Sequence, residues 1–169
     1  MKKLIAILMA ALLALSTVAL AETYRSDDIT FEYDEKAFEI TVDDRTDDET
    51  NVVLYGKNEA WGLTYVGIYL KDLNDGEKFP TMQEITDTYD TTVTQGDWNG
   101  YTDVLMYTVE REDGATESFF TVPVKDDDGK EIEDLLTVQI CTSKIDDEAV
   151  LQERDDAISA IVDSLKVDD

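Results

Sequence analysis

From Ile29 onward the chain alternates apolar and polar residues with a period of two, and turn residues break the alternation at intervals. Ile29, Phe31 and Tyr33 alternate with Thr30, Glu32 and Asp34, which predicts a half-buried strand. Residues 38–42 and 51–55 repeat the pattern on either side of a charged loop at 43–50. In residues 61–70 one face would carry Trp61, Leu63, Tyr65 and Tyr69 and the other Val66, Ile68 and Leu70. Two apolar faces mark a central strand covered on both sides, or covered on one side with the other lining a groove. Residues 93–98 and 101–110 read as a hairpin about Asn99-Gly100, because this dipeptide supplies the two positive φ angles of a type I′ turn. Two more strands follow at 116–124 and 132–141. Pro123 lacks a backbone donor, which places the first of these near its end or on a sheet edge.

The period changes to that of a helix twice. Thr81 with Glu84 forms a capping box just after Pro80, and Met82, Ile85 and Tyr89 fall at helical spacing as the expected buried stripe. The last helix is expected to begin at Asp146 as N-cap, with Ile145 stapled against Val150. Its stripe is Val150, Leu151, Ala157, Ile158, Ile161, Val162 and Leu165, over about four turns. The order of elements predicts an α+β fold, an antiparallel β-sheet of about six to eight strands with two main helices packed on it.

The first 21 residues are set apart from this pattern. Lys2 and Lys3, the uncharged apolar run 4–15 and the small-x-small sequence Ala19-Leu20-Ala21 have the form of an export signal cleaved between Ala21 and Glu22. The alternative is an uncleaved anchor, since residues 4–20 reach the lower edge of a membrane-spanning length. Cleavage leaves residues 22–169 as one secreted or periplasmic domain, with no stable membrane insertion. The whole chain has a formal charge of −26, and loss of the two lysines leaves 12 basic side chains against 40 acidic ones. Such a field repels phosphates, and the basic residues are scattered singly, so nucleic acid is excluded as a partner. The aromatic content and regular alternation separate this acidity from that of a disordered tail.

The missing residue types narrow the chemistry further. With no histidine, Ser-His-Asp and Cys-His sites and His-rich zinc sites are ruled out. Cys141, the single cysteine, has no internal disulfide partner and lies in a strand of core character, so it reads as a buried thiol. No cofactor is expected. Asp103 and Asp134 each sit in an apolar alternating run and are the candidates for a carboxylate with a raised pKa, unless they face solvent. Trp98 and Tyr101 flank the Asn-Gly turn, where they form either a surface for a partner or a cross-strand clamp on the hairpin. The acidic stretch VKDDDGKE, residues 124–131, approaches the spacing of a calcium loop. With Gly129 in the sixth position, however, Val124 and Leu135 would occupy the first and last ligand positions. Asp-Gly between two alternating runs predicts a hairpin there instead.

The stretch ITFEYDEKAFEI at residues 29–40, the helix near residue 82, the Trp98-Asn99-Gly100-Tyr101 turn and the ending Ile161-Val162-Asp163-Ser164-Leu165-Lys166 together resemble the PsbP-like family. Asp34 departs from it, standing where that family commonly has proline. The resembling motifs are packing signatures. What the resemblance implies is a fold shared by an extrinsic photosystem subunit, a GTPase-binding import factor and exported bacterial proteins, with no site residues to carry over. The expectation is an exported, acidic, non-enzymatic binding or accessory domain, a monomer, with a protein, cell-wall or small-molecule ligand. The alternatives are a carboxylate-based hydrolase of extracytoplasmic glycans and, more weakly, low-affinity calcium binding by the acidic surface.

Overall fold

The computed structural model describes residues 21–74, 77–126 and 129–168. Most of the expected export signal, and Asp127 and Asp128 of the acidic stretch, lie outside the described residues. The protein is α+β, and its described residues form ten strands in two antiparallel sheets and two α-helices. Strands β1 (Glu22–Arg25), β2 (Ile29–Tyr33) and β10 (Lys166–Val167) form a small sheet in the order β1-β2-β10. The large sheet is built from β3 (Phe38–Arg45), β4 (Glu49–Gly56), β5 (Thr64–Asp72), β6 (Thr94–Trp98), β7 (Tyr101–Glu110), β8 (Thr116–Lys125) and β9 (Ile132–Thr142). Its order is β3-β4-β5-β9-β8-β7-β6, so β5 and β9 lie near its middle.

The alternation of each strand sorts the large sheet into two faces. Val52 and Leu54 of β4, Val66, Ile68 and Leu70 of β5, and Leu136 and Val138 of β9 face inward and are buried. They share one core with Ile29 and Phe31 of the small sheet and with the helix α2 (Glu148–Ser164), which contributes Ile158, Ile161 and Val162. The small sheet and α2 thus cover the inner face, and removal of this apolar surface from water is the main stabilising term. The other helix, α1 (Met82–Tyr89), lies on the outer face over a second cluster of Val93, Leu105, Tyr107 and Phe119.

Several sequence expectations are corrected. The strand 29–33 belongs to the small sheet, which also recruits the short β1 and β10 that the alternation did not reveal. Trp61 is not on the face of Tyr65 and Tyr69. Asn58 caps a 3-10 turn at Glu59–Trp61, and Gly62, at φ 60°, reverses the chain before β5 begins. The indole is thereby swung into the core beside Phe38, at 5.6 Å, with its N–H buried and without an acceptor.

The last helix starts one residue later than expected, because the Asp147 carboxylate, not that of Asp146, accepts from the N–H groups of Ala149 and Val150. Its buried face also includes Arg154, which donates to the Ser143 carbonyl at 2.7 Å and pairs with Asp155 at 2.9 Å. The α1 capping box is present, but of its expected stripe only Ile85 is buried, Met82 and Tyr89 being exposed. Pro123 lies on an interior strand, near its end. The β7–β8 ladder stops at Leu105–Thr121, so the missing donor of Pro123 falls where β7 no longer pairs.

Asn99 and Gly100 take φ 49° and 86°, the angles of a type I′ turn. In the acidic hairpin Gly129 has φ 68° and its N–H donates to Asp126 O at 2.7 Å. The Asp126 carboxylate accepts from the backbone of Lys130 at 2.6 Å and of Glu131 at 3.2 Å. That carboxylate is engaged in shaping the turn. Among the described residues, no group of three or more His, Cys, Asp or Glu side chains is placed to hold a metal ion.

Candidate binding face

The outer face of the large sheet is only partly covered. Outward positions on β3, β4 and β5 are Val42, Val53, Tyr55, Tyr65 and Tyr69, in a run set by the register Val42–Val53 and Tyr55–Tyr65. Val42 and Tyr55 are each 41% exposed, large apolar side chains open to solvent on a face whose reverse carries the main core. The Tyr55 and Tyr65 rings lie 5.3 Å apart at 38°. The Tyr69 ring lies across Gly67, where a Cβ would stand 2.5 Å from its hydroxyl. A side chain at this position would have to displace the ring.

A chain of hydrogen bonds fixes the Tyr65 and Tyr69 rings. Tyr69 OH donates to Gln139 Oε1 at 3.3 Å, Gln139 Nε2 donates to Tyr65 Oη at 3.0 Å, and Tyr65 OH donates to Glu117 Oε1 at 2.7 Å. Arg111 closes the chain, donating to the same Glu117 oxygen at 2.8 Å and to Asp113 at 3.3 Å. Burial and the Glu117 hydrogen bond push the Tyr65 hydroxyl well above the ordinary tyrosine range, so it stays a donor. Burial alone would raise the Glu117 carboxyl, but the hydrogen bonds from Tyr65 and Arg111 together hold it below its usual value. Cys141 is the cross-strand partner of Tyr65 and is wholly buried, its thiol pKa raised by burial and by Glu117. It is an inert thiol in this setting.

Beside this strip, α1 rests on the sheet through Ile85 and through Tyr89, whose ring stacks at 5.4 Å on Tyr107. Tyr107 in turn stacks on its cross-strand neighbour Phe119 at 4.8 Å, with the planes 8° apart. Between helix and sheet lies a cleft of about 320 Å³ walled by Ile85, Tyr89, Tyr107, Phe119 and Leu135, with Thr137 as a polar member.

Gly67→Ala tests how the strip is built. The added methyl drives the Tyr69 ring off its seat and breaks the bond to Gln139. The expected result is a changed near-ultraviolet tyrosine signal and a loss of about 1 kcal/mol of stability. An unaltered tyrosine spectrum would show that Tyr69 does not lie where described.

The sequence candidates fall elsewhere. The Trp98 ring stacks on Phe120 at 4.7 Å and packs against the core, and the Tyr101 hydroxyl accepts from Val167 N at 3.2 Å. Both are half-buried, and Tyr101 borders a cleft of about 250 Å³ with Pro123 and Val167. Asp103 is exposed, with φ 63°, paired to Lys125 at 3.2 Å and bonded by Gln95 at 3.1 Å. It is not held among apolar groups. Asp134 is half-buried on the inner face, and burial followed by the neighbouring Asp72 carboxylate pushes it up to about 6. Ala21 is exposed, and Glu22 opens β1.

The alternation puts Tyr65 and Tyr69 on one face of a central strand, covered or lining a groove, but does not reveal Glu117, Gln139 or Arg111. These residues lie 40 or more positions away along the chain, and only the β5–β9–β8 register brings them together. Compared with known proteins, the chain matches no family model and no curated protein. Among the described residues no helix is long and apolar enough to cross a membrane.

Proposed function

We propose that the protein is an exported, non-enzymatic binding or accessory domain that meets its ligand on the outer face of the large sheet. The observation that carries this reading is the asymmetry of that sheet. Its inner face is covered by a second sheet and a 17-residue helix, whereas among the described residues its outer face carries only the 8-residue α1, and Val42 and Tyr55 lie open beside Tyr65 and Tyr69. The exposed Tyr55 ring, packed on the half-buried and hydrogen-bonded Tyr65, offers flat apolar contact at a small entropic cost. The leader-like sequence at residues 1–21 supports export, and the resemblance to PsbP-like proteins points to the same accessory role. The ligand class that suits rings interleaved with Gln139, Glu117 and Arg111 is a cell-wall glycan, whose sugar rings present both apolar faces and hydroxyls.

The experiment compares the domain of residues 22–169 with its Val42→Ser, Tyr55→Ser double variant in binding to cell-wall fractions and to defined glycan oligomers. The expected result is at least a tenfold loss of affinity with little change in melting temperature, since surface substitutions cost within about 0.5 kcal/mol. Undiminished binding by the double variant would refute this face as the contact surface. Release of reducing sugar that Asp134→Asn abolishes would favour the hydrolase instead.

A further inference from the structure

The inner face of the large sheet carries carboxylates where its pattern calls for apolar side chains. Leu70 and Leu136 are core residues opposite one another on β5 and β9, and the next inward pair along these strands is Asp72 and Asp134. On the β8 side the cross-strand partner of Asp134 is the apolar Val124. Asp28, from the turn between β1 and β2, adds a third carboxylate and accepts from the hydroxyl of Thr50, an inward residue of β4 that is 2% exposed. Glu133 contributes further negative charge from β9 itself. Lys71, next to Asp72 on β5, pairs with Glu77 at 2.8 Å, and Lys125 of β8 pairs with Asp103 at 3.2 Å. Like charges directly opposite in an antiparallel ladder repel, and because Asp134 is half-buried beside the exposed Asp72, ionising both is costly.

We propose that Asp72 and Asp134 share one proton across the β5–β9 ladder and form a clasp that tightens this end of the large sheet in acid. The arrangement is geometric before it is electrostatic. The strand register fixes the two aspartates opposite each other, next to the buried Leu70–Leu136 pair. Desolvation and the Asp72 carboxylate raise Asp134 from the ordinary 3.8 to about 6. The folded protein therefore binds this proton more tightly than the unfolded chain does. The stabilisation is full below pH 3.8 and is lost as the pH rises through about 6. Two amides sit at the clasp as reporters: Asp72 N donates to Asp48 O at 3.0 Å, and Leu73 N to Glu133 O at 2.7 Å.

The test measures thermal unfolding of the domain and of Asp134→Asn at pH 5 and pH 8, together with hydrogen exchange at the amides of Asp72 and Leu73. Asparagine is nearly isosteric and donates to Asp72 at every pH. The expected result is a variant several degrees more stable than the parent at pH 8, an advantage that shrinks or vanishes at pH 5. In the parent, protection of the two amides falls between these pH values by more than the intrinsic exchange rate explains. Parallel pH profiles for the two proteins would overturn the proposal. Asp72→Asn serves as a second variant if the first does not fold. Carboxyl-carbon NMR titration of the unmodified protein gives an independent reading, and no aspartate midpoint above pH 5 would equally overturn it.

Discussion

Replacing Phe31 by alanine lowers the stability of the domain by about 3–5 kcal/mol, the range for removing a large aromatic side chain from a packed core. Phe31 is fully buried on β2, stacked on Tyr24 at 4.7 Å, and belongs to the same core as α2 and the inner face of the large sheet. No single layer holds it. The surroundings cannot collapse onto the cavity without moving the small sheet, so the loss includes a cavity contribution as well as lost burial. Because net stabilities of domains lie between about 5 and 15 kcal/mol, this one change takes a large share of the total. Denaturant unfolding of the purified variant measures the loss directly. A value below about 1 kcal/mol would mean that the small sheet does not pack on the large one as described.

The second large effect belongs to Asn99, at the tip of the β6–β7 hairpin. Its side-chain amide donates to the carbonyls of Val162 at 3.0 Å and Leu165 at 2.9 Å at the end of α2, where Val162 O otherwise has only the long 3.4 Å bond from Leu165 N. The residue also holds φ 49°, which asparagine tolerates and alanine resists. Asn99→Ala therefore loses two hydrogen bonds and acquires backbone strain, together about 2–3 kcal/mol. Asn99→Gly removes the hydrogen bonds but keeps the turn, and its loss should be smaller by about 1 kcal/mol. Equal losses in the two variants, read from their unfolding midpoints, would show that the side-chain bonds to α2 carry the whole effect and the backbone angle none. Two unperturbed variants would sink the assignment altogether.

Asn99 also shows how local and tertiary information combine. The Asn-Gly pair announces a type I′ turn from two letters of sequence, because the required φ angles are set by the chain's own sterics. Nothing local announces that the same side chain would cap a helix 63 residues later. Thr81 and Glu84 are the simpler case. Their capping box involves neighbouring backbone groups alone, and it stands as the sequence predicts. Met82 and Tyr89, on the same helix, have apolar spacing yet remain exposed, because an 8-residue helix on an open sheet face has only enough partner surface to bury Ile85. Trp61 shows the opposite error, since the three residues by which the alternation extends the strand before Thr64 are taken up by the turn that Asn58 and Gly62 make.

The candidate binding face was half legible. Apolar residues on both sides of β5 mark a central strand with a second face to account for, and Tyr65 and Tyr69 name that face correctly. Glu117, Gln139 and Arg111 were beyond reach, since their places in the hydrogen-bond chain depend on strand order and register. Asp103 and Asp134 looked alike in sequence, each an acid in an apolar run. A positive φ turns Asp103 out to Lys125, and unbroken alternation from Leu136 turns Asp134 in beside Asp72.

By itself the sequence determined the α+β class, the positions of most strands, both helices and the two glycine-assisted hairpins, and an acidic chain without histidine. These follow from periodicity, steric preference and composition, which act over a few residues or over the chain as a whole. Only the tertiary structure decided that the strands divide into two sheets, which face of the large sheet stays open, which tyrosines join in one polar chain, and which pair of aspartates must meet. Those outcomes depend on register between strands distant in sequence, where a shift of one residue moves every side chain to the opposite face.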